Sequence, residues 1–517
     1  MSHFSYFKQV EKWGIQEIVC QGYSTGNPYV DFHIKGRFRS KNQSMTVDGF
    51  YDGNGIYKVR FMPSFEEDYN FEITGNFSDE TYSGSFTVTQ AAINNHGPVR
   101  TANTYHFAYE DGTPYYPVGT TCYVWQLQPD NIQKSTLNTL RNNAFNKIRF
   151  CIFPKHYDYN FKEPILYPYV GTPCDSSKIT KENFAEYYSN FEGNNWDFKR
   201  FNTEYFSHVE DCICKLGDLS IEADLILMHP YDRWGFSSMD KESDELYLRY
   251  IVARFAAFRN VWWSLANEYD LMPQKSLEDW ERFAKIICEC DPYSHLRSIH
   301  NCRPFYNYMK PWVTHCCIQR QDLYKSAEFV TEWRERYKKP IVLDEVAYEG
   351  NIQHGWGNIS GKELVRKFWE AACRGGYAGH GETYLHSDDI LWWSHGGELH
   401  GESPERLKFL YKIMCETPGV GLMPTESSWD EVAVTTEGGV TGAGKVNDYY
   451  MYYYSFMRPS FRDFYLDDYS KLDVEVIDTW EMTIEKRGIF CGKFRIDLPG
   501  KEYMAIRIRK VQNNLDR

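Results

Sequence analysis

The chain has 517 residues, 42% hydrophobic and 25% charged, a globular composition too long for one ordinary core, so two or three domains are expected. Its net charge of −14 argues against a nucleic-acid or anionic-membrane partner, since either needs a basic surface. No run of about 18 apolar residues is present to span a membrane, and the opening "MSHFSYFKQVEKWG" lacks the apolar stretch of a signal peptide. None of the 14 cysteines forms a C-x-x-C pair, and several sit inside apolar runs as small hydrophobes, so a reducing cytoplasm is the expected location.

In chain order, residues 1–95 read as all-β. "YVDFHIKGRF" alternates, and "SMTVDGFYDGNGIYKVRF" gives two strands around the turn-rich "DGNG". "YNFEITGNF" and "YSGSFTVTQ" follow at short intervals, which predicts a β-sandwich. "AAINNHGPVR" is the exit linker. From 96 to 418 strands alternate with helical patterns. Eight strands are predicted, at 115–125, 146–153, 221–229, 261–268, 296–301, 313–320, 341–345 and 377–384. The clearest helix is "DELYLRYIVARFAAF", where Leu248, Ile251, Val252 and Phe255 share one face. Strands five and six are short and polar, with no convincing helix between them. Eight strands in roughly 320 residues predict an α/β (β/α)8 TIM barrel with insertions. The competing doubly wound sheet lacks its glycine-rich phosphate loop. Residues 419–517 alternate again and predict a second, C-terminal β-sandwich.

In such a barrel, chemistry sits at the C-terminal ends of the strands. Strand two carries Arg149 and runs on to Lys155. Strand three ends with His229, Asp232 and Arg233; strand four with Asn267 and Glu268; strand five with His300 and Asn301. Strand six carries His315 and Gln319, and strand seven ends on Asp344 and Glu345. Trp392, Trp393 and His395 follow strand eight. Glu268 and Glu345 each close an apolar strand, and strands four and seven lie nearly opposite on a closed barrel. Glycoside hydrolysis uses such a pair, one carboxyl protonated for the leaving oxygen and one ionised for the anomeric carbon. A metal cluster from His229, His300 and Asp344 is the alternative, without supporting H-x-H spacing.

The Asn-Glu closing strand four and the Glu closing strand seven resemble the clan A retaining glycoside hydrolases, built on (β/α)8 barrels. The resemblance implies Glu268 as acid/base, Glu345 as nucleophile, Asn267 on the substrate 2-hydroxyl and Arg149 as support for the nucleophile. A tyrosine near strand six contacts the nucleophile in many clan members, and Tyr324 is its candidate here. "VEKWGIQEIVCQG", "GFYDGNGIYKVRFMPSFE", "NHGPVRTANTYHFAYEDGTPYYPVGTTCYVWQ", "HPYDRWGF" and "LDEVAYEGNI" are similar to a bacterial group of glycoside hydrolases. That group combines an N-terminal β-sandwich of unknown function, an apiosidase-like barrel and a C-terminal sandwich. Apiosidase resemblance implies a furanose or branched pentose of a plant glycan. Some relatives carry Asp as acid/base, so Asn-Glu fits the broader clan better. "DEVAYEG" also offers Glu349 as a second candidate nucleophile, one turn past the strand end.

The Tyr-, Phe- and Pro-rich segment 154–202 is long for a βα connection and is expected to cover the barrel mouth or to pack as a surface lobe. Trp356 and Trp393 are candidate platforms for a sugar ring; Trp392 reads as core. His229, Arg233, His300 and His395 complete the expected substrate-binding set. The leading expectation is a retaining exo-glycosidase with a carbohydrate partner and no cofactor. A non-catalytic glycan-binding barrel and a metal-dependent hydrolase are the alternatives. Exposed sandwich edges make a homo-oligomer an open expectation.

Overall fold

The computed structural model describes residues 4–320, 322, 325–386, 391–428, 430–436 and 447–511. Near the N-terminus two sheets pack face to face. One orders Phe4–Tyr6, Gln16–Gln21, Ile56–Phe61 and Phe50–Tyr51; the other orders Gln9–Glu11, Tyr82–Thr89, Asp68–Gly75, Ile34–Arg39 and Ser44–Asp48. Burial alternates along Ile34–Arg39, and Phe38 from one sheet stacks on Phe61 from the other at 4.1 Å. Two details differ from expectation. Asn27 caps a helical turn at Pro28–Asp31, so the strand begins only at Ile34; Asn at the cap and Pro at the first helical position favour a helix start. Gly49 breaks the next strand into Ser44–Asp48 and Phe50–Tyr51, which join opposite sheets. The approach is too close for a side chain, since a Cβ at Gly49 would lie 2.5 Å from the Lys58 carbonyl oxygen.

The central sheet has eight parallel strands: β1 (Gly119–Thr121), β2 (Lys147–Cys151), β3 (Glu222–Met228), β4 (Val261–Ala266), β5 (Arg297–Ser298), β6 (Cys316–Gln319), β7 (Ile341–Glu345) and β8 (Tyr377–His380). Their order around the sheet is β5-β4-β3-β2-β1-β8-β7-β6, a TIM barrel. β2, β3, β4 and β7 are buried at every position, which is why they read as mainly apolar runs, with Lys147, Arg149, Glu222 and Asp224 among the buried exceptions. Helices Asp130–Asn142, Thr203–Asp218, Lys241–Phe255, Leu277–Cys290, Val330–Tyr337, Gly361–Ala372 and Ser403–Cys415 wrap the outside. Among the described residues no helix lies between β5 and β6, and no ladder joins them. One backbone bond, from Thr314 N to the Arg297 carbonyl (2.9 Å), crosses that seam, and side chains close the rest. Ser298 Oγ donates to the His315 carbonyl (2.6 Å) and accepts from Cys317 N (3.1 Å), while Asn301 Nδ2 donates to the Gln319 carbonyl (2.8 Å). The polar character of these two strands thus serves their closure.

An antiparallel sheet of Val99–Ala102, His106–Tyr109 and Pro114–Tyr115 plugs one end of the barrel. Its Val99, Phe107 and Tyr115 pack on Trp262, Leu296, Val342 and Tyr377, all at or near strand starts. Just inside, Lys147 Nζ sits 2.8 Å from Asp224 and 2.7 Å from Asp344, all three buried. The end where the strands finish lies opposite this plug. After the barrel, Leu422–Pro424, Val432–Thr436, Tyr449–Tyr453, Met504–Lys510, Leu472–Asp478 and Thr483–Phe490 form a six-stranded antiparallel sheet. It packs Tyr450, Val474 and Ile506 against Phe464 and Ile496 of the pair Phe461–Tyr465 and Lys493–Asp497, a second sandwich.

Candidate active site

The last residue of β7 and the residue two past the end of β4 face one cleft. Glu268 has φ 49° and ψ 56°, a left-handed backbone that a non-glycine residue holds only where its surroundings over-determine it. Those surroundings grip the carboxyl. Gln319 Nε2 donates to Oε1 (2.9 Å), the Tyr231 hydroxyl donates to Oε2, and Asn267 Nδ2 approaches Oε2 at 3.3 Å. Burial and the neighbouring Glu345 charge nevertheless push the Glu268 carboxyl above its ordinary range, against the pull of Tyr231, His300 and Lys155.

Glu345 is treated in the opposite way. Arg149 Nη1 donates to its Oε1 (2.9 Å), the Tyr123 hydroxyl donates to the same oxygen, and His300 Nε2 stands 3.5 Å away. Burial alone raises this carboxyl, but His300, Arg149 and Tyr123 outweigh it and hold Glu345 well below the usual carboxylate range. Arg149 also donates to Asn267 Oδ1 (2.6 Å), so one guanidinium spans both strand ends. His300 is itself fixed from behind, with Nδ1 3.1 Å from Cys317 Sγ, which lies 2.8 Å from Asp344.

The cleft is a cavity of about 90 Å³ whose lining includes both glutamates, Lys155, Gln319, Tyr348, Trp356 and Trp393. Trp356 and Trp393 meet at 5.0 Å and form an aromatic wall. Trp392, by contrast, is core, its Nε1 bound to Thr120 Oγ1 at 2.7 Å. The segment after β2 reaches over the mouth: Asp158 accepts from Gln353 Nε2 (3.2 Å) and pairs with His354 Nε2 (3.0 Å), and Tyr159 bonds Gln353. A larger cavity of about 370 Å³ lies at the plugged end, but no carboxylate lines it.

Of the expected site residues, Glu268, Glu345, Trp356 and Trp393 line the cleft, with Arg149, Asn267 and His300 directly behind. Three lie elsewhere. Asp232 accepts from the backbone of Trp234 (2.7 Å) and Ser237 (2.8 Å), a tight turn in which Arg233 pairs with Glu163 and lies over Trp234. His229 is buried, with Nε2 3.2 Å from the Phe153 carbonyl; burial and then the Lys155 charge push it down to about 3. His395 lines a small neighbouring pocket with Glu163 and Trp234. The metal grouping of His229, His300 and Asp344 is not assembled, and no set of three metal-capable side chains occurs among the described residues. Glu349 is spent on structure: its two oxygens accept from Glu402 N (2.7 Å) and Ser403 N (3.0 Å) at the start of helix Ser403–Cys415. Tyr324 lies outside the described residues. Tyr123 and Tyr231 escaped the sequence reading, because at strand ends they passed as aromatics rather than as hydroxyl donors.

This barrel, with its strand-end cleft, defines the class: a glycoside hydrolase on a TIM barrel. The family model for the apiosidase-like catalytic domain matches residues 101–439, and the chain belongs to that family. Two domains of unknown function, DUF5060 and DUF5605, match residues 9–76 and 429–509. The chain is similar over 98% of its length to a Bacteroides vulgatus protein designated a candidate glycoside hydrolase. The two share 35% identity with a TM-score of 0.88, and all of that chain is covered. A family 5 glycoside hydrolase from the same organism shares the fold at 14% identity and a TM-score of 0.60, covering 82% of this chain and 95% of its own. No curated protein matches.

Proposed function

We propose that the protein is a retaining exo-glycosidase acting by double displacement on an oligosaccharide or glycoside of plant or microbial origin. The observation that carries this is the opposite treatment of two carboxyls on one cleft, Glu268 held toward its acid form and Glu345 toward its anion. The Glu345 carboxylate attacks the anomeric carbon. The bond to the leaving oxygen breaks as that oxygen takes the Glu268 proton. The Glu268 carboxylate then removes a proton from water, whose oxygen attacks the same carbon and releases Glu345. Arg149 and Tyr123 keep Glu345 anionic before attack and steady it again as it departs. The small cleft and the clasp between Asp158 and the 353–354 loop favour a chain end over an internal link.

The test is kinetic, on aryl pyranosides and furanosides including the apioside. Glu345→Gln abolishes turnover. Glu268→Ala retains glycosylation by substrates with good leaving groups and is rescued by azide, which gives a glycosyl azide of retained configuration. Full activity in either variant, or an inverted product, contradicts the proposal.

A further inference from the structure

Lys155 is 3% exposed and lines the cleft beside both glutamates. Its ammonium lies over four aromatic rings: Tyr123 at 3.4 Å, Tyr231 at 4.3 Å, Trp393 at 4.4 Å and Tyr157 at 5.0 Å. Among the described residues it has no carboxylate within ion-pair distance and no hydrogen-bond acceptor, whereas Arg149 and Lys147 are both paired. Ring faces attract a cation but accept none of its three N–H bonds as a carboxylate does.

Charge accounting in the cleft makes this lysine conspicuous. Arg149 and Glu345 cancel each other. Glu268 carries no charge while it holds the proton for the leaving group, and His300 can only add positive charge. With a neutral sugar bound, Lys155 is then an unbalanced buried cation interacting with both glutamates, at the place where catalysis builds further positive charge on the anomeric centre. A sugar hydroxyl accepts a hydrogen bond from Lys155 but leaves that charge standing. A carboxylate removes it and satisfies the N–H bonds.

We propose that the sugar bound against Glu268 and Glu345 is a uronic acid, and that Lys155 holds its carboxylate. The proposal rests on the two-glutamate reading and adds the substrate's chemical class. Burial pushes the free lysine down to about 8, so uronide KM is expected to rise above that pH.

The experiment compares nitrophenyl glucuronides and galacturonides, both anomers, with the matching glucosides and galactosides. Wild type is expected to favour a uronide over its neutral counterpart. Lys155→Met should lower the uronide-to-neutral ratio of kcat/KM by about 10–100-fold, the worth of a hydrogen-bonded charge, mainly through KM. Lys155→Arg should keep part of the preference, and melting curves establish that both variants fold. A wild type that prefers neutral sugars, or a Lys155→Met variant that loses both substrates equally, overturns the proposal. If neutral glycosides are cleaved and Glu345→Gln stops them, the glycosidase reading survives and the uronide assignment alone falls. If nothing is cleaved, calorimetry with glucuronate, galacturonate, glucose and galactose decides. Binding of an acid by wild type and not by Lys155→Met supports the proposal; equal or absent binding overturns it.

Discussion

Replacing Tyr231 by Phe removes one hydroxyl from a half-buried ring and leaves the packing otherwise filled. That hydroxyl donates to Glu268 Oε2, while Gln319 holds the other oxygen. A hydrogen bond to an ionised group is worth about 1.5–3 kcal/mol, or about 1–2 pKa units at about 1.4 kcal/mol each. The protonated carboxyl also loses a weaker bond, about 0.5–1.5 kcal/mol, so the net upward shift of Glu268 is about one unit. A general acid must be protonated, so activity falls as pH rises through its pKa. Tyr231→Phe therefore moves the alkaline limb of kcat upward by about one unit. The assay is a pH profile of kcat on a phenyl glycoside, whose poor leaving group needs the proton; kcat reports the bound complex, where changes in substrate affinity drop out. An alkaline limb that stays put or moves down, in a variant with unchanged melting temperature, refutes the reasoning.

Glu349→Gln should keep turnover yet lower stability by about 1–3 kcal/mol, seen as a lower melting temperature, because the amide mismatches one of two backbone donors. Ser298→Ala opens the β5–β6 seam by unpairing a carbonyl and an amide; a loss of about 2–4 kcal/mol in urea unfolding is expected, and no change would show the seam closes by other means. Burial pushes the Glu222 carboxyl up to about 8, against the pull of Trp262 and Arg259. A folded-state pKa above the unfolded value contributes stability that is full below the unfolded pKa and is lost as pH rises through the folded one. Glu222→Gln should therefore gain on wild type by about 1.4 kcal/mol per pH unit between about 4.5 and 8. Parallel stability curves for the two proteins contradict that assignment.

The barrel was readable because strands buried on both faces leave mainly apolar runs, and because most polar strand ends stand out against such a run. The same rule singled out Glu268 and Glu345, which line one cleft. It misplaced His229 and Arg233, where the Asp232 turn redirects the chain after β3. It also passed over Tyr123 and Tyr231, since 40 tyrosines make any one of them look like packing. The helical turn at Pro28–Asp31 was signalled by Asn27-Pro28 but lay inside an alternating stretch. The β5–β6 closure depends on side chains of Ser298 and Asn301 meeting backbone from another strand, and no local pattern announces such a contact.

In the proposed double displacement Glu345 becomes covalently bonded to the sugar. Incubation with a 2-deoxy-2-fluoro glycoside bearing an activated leaving group, followed by proteolysis and mass spectrometry, reads this directly, because the fluorine slows release of the intermediate. A glycosyl adduct is expected on the peptide carrying Glu345, absent in Glu345→Gln. An adduct on Glu349 or Glu268, or turnover of the substrate with inversion and no adduct, would contradict it.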